Sequence, residues 1–76
     1  MSKKSVLKKA IADTEHEIDE LEKKRNRSQS AILEAYLNGT RPNKADAEYF
    51  RTYSQLIAVE RENLRKLKEE LSSAED

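Results

Sequence analysis

Asn38-Gly39-Thr40-Arg41-Pro42-Asn43 decides how this chain folds. The stretch holds the only glycine and the only proline among 76 residues, and a long charged segment with a heptad pattern runs on each side of it. Gly39 can take a left-handed helix C-cap at no steric cost, while Pro42 cannot continue a helix and biases Arg41 towards an extended backbone. Asn43 then caps a second helix, with Asp46 three residues later, where the helix dipole favours an acid. The expected architecture is all-α: a single antiparallel two-helix hairpin, a coiled coil, over 1–76. It comprises a helix over 3–38, a turn over 39–43, a helix over 44–72 and a frayed tail over 73–76.

Upstream of the break, Ser2 is the expected first N-cap, with Ser5 as the alternative. From there Leu7, Ile11, Thr14, Ile18, Leu21, Arg25, Ser28, Ile32 and Ala35 alternate at spacings of four and three, the a and d positions of a heptad. Downstream, Phe50, Ile57, Leu64 and Leu71 occupy a, and Tyr53, Glu60, Leu67 and Ala74 occupy d. Facing residues of an antiparallel pair have numbers that add to a constant, and 85 centres the pair inside the break. The layers are then Ala35/Phe50, Ile32/Tyr53, Ser28/Ile57, Arg25/Glu60, Leu21/Leu64, Ile18/Leu67, Thr14/Leu71 and Ile11/Ala74. Small residues face large ones, and the only basic seam residue, Arg25, faces the only acidic one, Glu60. That pair reads as a register-setting device that disfavours slipped or parallel pairings; the alternative is two snorkelling surface side chains.

Charge blocks agree with this register. The acidic stretch Asp13 to Glu22 lies opposite Arg65, Lys66 and Lys68, and the basic run Lys23, Lys24, Arg25 and Arg27 lies opposite Glu60 and Glu62. The seam is lean, because Thr14, Arg25, Ser28 and Glu60 are polar. A buried Leu or Ile contributes about 1.5–3 kcal/mol against about 1–2 kcal/mol of backbone entropy per ordered residue. An isolated hairpin is therefore expected to be weakly stable, and a partner, a second copy or another helical protein, to complete its core. Val6, Ala10, Leu33, Tyr36, Leu37, Tyr49, Leu56 and Val59 lie off the seam and supply the surface for it. Alternatively these residues widen the hairpin's own core.

Composition limits the other classes. Charged residues make up 39% and hydrophobic ones 36%, a coiled-coil balance. Fifteen basic and fifteen acidic residues cancel, which disfavours a dedicated nucleic-acid binder, although Lys3, Lys4, Lys8 and Lys9 form a local basic cluster. There is no cysteine, no apolar run of membrane-spanning length and no signal-peptide core after the basic N-terminus. The expected location is the cytoplasm, the alternative being export without a cleavable signal. His16, with Glu20 four residues on, offers two metal ligands at best, and the acidic stretch lacks the loop of a calcium-binding hand. No metal, cofactor or enzymatic activity is expected.

The run Ile32-Leu33-Glu34-Ala35-Tyr36-Leu37-Asn38-Gly39, continued by Ala45-Asp46-Ala47-Glu48-Tyr49-Phe50-Arg51-Thr52-Tyr53-Ser54-Gln55-Leu56-Ile57 and Glu60, resembles small helical proteins of bacterial type III secretion and flagellar export. The turn region resembles the FliJ/YscO-type stalk proteins. The length is closer to the YscE-type co-chaperones, two-helix hairpins that dock on a tetratricopeptide-like chaperone and keep the needle subunit soluble. The resemblance covers roughly residues 30–70 and implies a protein-binding accessory, or co-chaperone, that shields an apolar helical surface. It implies a partner-contact role for Tyr36, Tyr49, Tyr53 and Leu56, to which their off-seam neighbours Leu33 and Leu37 are added. Two other classes stay open: a self-assembling homodimeric four-helix bundle that acts as an RNA-binding or structural adaptor, and a structural coiled-coil segment of a larger assembly.

Overall fold

Two helices, α1 over Lys3–Leu37 and α2 over Lys44–Ser73, account for nearly all of residues 2–75, the part of the chain described by the computed structural model. Met1 and Asp76, the ends of the expected domain and tail, lie outside the described residues. The helices pack against each other as an antiparallel hairpin 58 Å long and about 15 Å across, with no strand among the described residues.

Both helices begin on a side-chain cap. Ser2 Oγ accepts from the backbone N–H of Ser5 at 3.1 Å, so the first serine is the N-cap and the second supplies the donor. Asn43 Oδ1 accepts from the N–H of Ala45 at 2.9 Å, and Asp46 sits in the first turn of α2. Each cap satisfies one of the amides that a helix start leaves without a partner.

α1 ends one residue earlier than the spacing predicts, at Leu37, with Asn38 as its C-cap. Gly39 follows at φ 71°, the left-handed conformation that reverses the chain. The N–H of Thr40 donates to the Ala35 carbonyl at 2.9 Å and that of Gly39 to the Tyr36 carbonyl at 3.0 Å. These are the two bonds of a Schellman motif, and Thr40 Oγ1 donates a further bond to the Ala35 carbonyl at 3.0 Å. At the far end α2 runs one residue beyond the expected 72, to Ser73, and Ala74 turns extended.

All sixteen residues of the expected layers are buried or half-buried. The buried apolar residues are Leu7, Ile11, Ile18 and Ile57, and every one lies in the a or d rows. Ile57 is the deepest, at 1% exposure. The small Ser28 shares its layer and is itself buried, which lets the helices close over Ile57. The two buried hydroxyls turn back onto their own helix: Thr14 Oγ1 donates to the Ala10 carbonyl at 2.8 Å, and Ser28 Oγ donates to Lys24 at 3.4 Å. Among the described residues no buried side-chain nitrogen or oxygen lacks a partner, so these polar layers weaken the seam without leaving a desolvated orphan.

Two substitutions test this account by urea unfolding followed by helicity. Ile57→Ala should cost about 2–5 kcal/mol and leave the hairpin largely unfolded at room temperature. Gly39→Ala should cost about 1–2 kcal/mol, because nothing lies within 4 Å of an added Cβ and the penalty is purely that of a left-handed L-residue.

Candidate functional site: two apolar flanks

Two ion pairs cross between the helices. Arg61 Nη2 lies 3.6 Å from Glu22 Oε2, and Lys68 Nζ lies 3.9 Å from Glu15 Oε2. The numbers of each pair add to 83, two below the seam constant, which is where the e positions of an antiparallel heptad pair meet. They therefore mark one flank of the hairpin as the e flank and support the register read from the sequence. The g positions line the opposite flank.

That division separates residues that the sequence reading grouped as one partner-binding set. Tyr36 is at e, Leu33 at b and Leu37 at f, so the α1 group belongs to the e flank and the outer face beside it. Tyr49 and Leu56 are at g, and Tyr53 is at d on the same side. All five off-seam members of the set are exposed, from 44% at Leu56 to 87% at Leu37. Tyr53 is half-buried in the seam and stacks on Tyr49, with ring centroids 6.1 Å apart and planes 25° from parallel. Val59, one turn beyond Leu56 at position c, is also exposed and extends the α2 group.

The e flank contains an open groove of about 510 Å³ close to the turn. Ile32 and Phe50 line it from the seam, and α2 completes it with the small Ala47, Ser54 and Ala58 and the longer Arg51 and Gln55. The small residues were not singled out from the sequence. The signal was present, since Ala47, Ser54 and Ala58 recur at e and b, but small residues carry no weight in a search for large apolar ones.

Charge placement departs from the expected blocks in an informative way. Lys68 does meet the acidic stretch, at Glu15. Arg65 instead stays on its own helix, bonded to Glu62 at 2.7 Å and Glu69 at 2.8 Å. It occupies b, from which the other helix is out of reach and neighbours three and four residues away are close. Lys23, at f, pairs with Asp19 at 3.2 Å and Glu20 at 3.4 Å for the same reason. The Arg65 guanidinium holds the Glu62 carboxyl below the usual carboxylate range, and the Asp19 and Glu20 carboxylates hold the Lys23 ammonium above its usual value.

Arg25 and Glu60 are both half-buried, as residues of one seam layer should be. No ion pair joins them among the described residues; the Arg25 guanidinium lies 3.9 Å from Glu22. An a side chain leans towards the e flank and a d side chain towards the g flank, so the two charges leave the seam on opposite sides. His16 is exposed on α1. No group of three His, Cys, Asp or Glu side chains could hold a metal ion, and no helix is long and apolar enough to cross a membrane, among the described residues.

No protein-family model, no curated protein and no solved structure matches the chain.

Replacing Arg25 by Leu should preserve helicity and raise the urea midpoint, since the guanidinium gains only a long contact with Glu22 while occupying an apolar layer. A fall in stability of about 3–5 kcal/mol would instead mark Arg25 and Glu60 as a compensated buried pair.

Proposed function

We propose that this chain is a non-enzymatic, protein-binding helical hairpin whose g flank covers an apolar helical surface on another protein. The observation that carries the reading is the stripe on α2. Tyr49, Leu56 and Val59 hold large apolar surface in water, and the Tyr49–Tyr53 stack stiffens its turn-proximal end. Tyr49, Tyr53, Leu56 and Val59 recur at the spacing by which one face of a helix presents anchors to a groove. Aromatic anchors of this kind bring large contact area at small entropic cost.

The resemblance to type III export proteins gives the finer reading: an accessory or co-chaperone in the bacterial cytoplasm. There it would shield an export subunit or dock on a tetratricopeptide-like chaperone. A chain with equal numbers of acidic and basic residues suits a role in which the partner is chosen by apolar shape.

Site-specific photo-crosslinking in cells tests this. A photoreactive residue at Leu56 or Val59 should trap one helical protein, and the same residue at Lys23, on the outer face of α1, should not. Leu56→Asp should keep the helicity of the chain and weaken binding to the trapped protein at least about tenfold. Crosslinks from Leu56 solely to another copy of this chain, or none above the Lys23 background, would overturn the reading.

A further inference from the structure

The e flank carries a second set of features that the partner-binding stripe does not use. Near the turn, α1 presents the large exposed side chains Leu33 and Tyr36, and α2 presents the hollow at Ala47, Ser54 and Ala58, bordered by Arg51 and Gln55. Further from the turn, positions b and e of α1 carry Glu15, Asp19 and Glu22, while those of α2 carry Arg61, Arg65 and Lys68. One helix is thus protruding and acidic along this flank, and the other is hollowed and basic.

A surface that joins a feature to its complement is what a two-fold interface requires, since both copies use the same patch. We propose that the e flank is a homodimer interface in which two hairpins pack face to face, turn over turn, about an axis parallel to their length. That operation lays α1 of each copy on α2 of the other with the chains antiparallel. Kept flush, it brings b and e positions into register as inter-copy layers. Leu33 meets Ser54, Tyr36 lies over Arg51, Glu22 faces Arg65 and Asp19 faces Lys68. The alternative two-fold, perpendicular to the helices, sets α1 on α1 and α2 on α2 end for end, and it brings neither the protrusions to the hollow nor acids to bases.

The apolar part of the contact is confined to the turn-proximal half of a flank 58 Å long and about 15 Å wide. That is roughly half the ~800 Å² per partner of a standard interface, so the dimer is reversible and not obligate. The facing acidic and basic stripes favour the flush alignment and make association salt-dependent. The g flank stays open in this arrangement, so the dimer displays two copies of the α2 stripe. The inference stands independently of what that stripe binds.

Sedimentation equilibrium of the whole chain, with circular dichroism on the same samples, tests it. The wild type should rise with concentration from 8.8 kDa towards twice that mass. Leu33→Glu should remain a helical monomer over the same range, with association weakened at least about tenfold, while Leu56→Glu should dimerise as the wild type does. Asp19→Lys should weaken the dimer several-fold and the added change Lys68→Glu should restore it. A wild type that stays monomeric into the millimolar range overturns the proposal. So does a dimer lost through Leu56→Glu and kept through Leu33→Glu, or a charge reversal that the second change fails to rescue.

Discussion

The constraint on which this structure depends is that two helices share one strip of contact. A helix buries a stripe when it has one neighbour and a broad face when it has several. Here each helix has one neighbour, so the core is a single file of layers and every apolar residue outside it meets water. Among the described residues, Ile57 is the only side chain that the file encloses fully. It achieves this because Ser28 across from it is small and because it lies well inside the hairpin, where neither end frays. Helices of this length do not owe their order to propensity alone, since nucleation is costly and packing supplies most of the stability. The seam therefore decides both whether the helices form and how they align.

Alignment is the subtler of the two. A seam of uniform leucines would tolerate a slip of one heptad. This one is interrupted by Thr14 and Ser28, which satisfy their hydroxyls on their own helix, and by Arg25 and Glu60, which share a layer without an ion pair between them among the described residues. The Schellman turn at Gly39 fixes the other end of the register by setting how many residues separate the helices. With the turn setting the register, the charged flanks have little left to determine. Consistent with this, only two of the described ion pairs cross between helices, at 3.6 and 3.9 Å, while the shorter ones remain within a helix.

The hairpin was legible in the sequence for a physical reason. Gly39, Pro42 and Asn43 each act locally, and the four–three alternation of apolar residues is a direct record of which side faces the partner helix. Ser2 and Asn43 as caps, Gly39 as the left-handed residue and the buried rows all follow from that local chemistry. What was not legible was which surface residues share a flank. Tyr36 and Tyr49 are close to the same turn and look like one patch in a linear string. An e residue and a g residue nevertheless leave the seam on opposite sides. The same oversight placed Arg65 across from the acidic stretch, when position b hands it to Glu62 and Glu69. Distance along the helix axis is explicit in residue number, whereas angle around it, the side on which residues of two helices leave a shared seam, depends on their heptad positions taken together.

Angle also explains why this small chain has two apolar flanks of different character. On the g flank, α2 carries the bulk in Tyr49, Leu56 and Val59, and the neighbouring α1 positions are the small Ala31 and the charged Lys24, Arg27 and Glu34. On the e flank the bulk belongs to α1 and the hollow to α2, and the charges divide in the same sense, acid on one helix and base on the other. The two flanks differ in shape because the large side chains sit on different helices. The division of charge is confined to the e flank: as whole elements the helices are nearly neutral, with eight basic and seven acidic residues in Lys3–Leu37 and six of each in Lys44–Ser73.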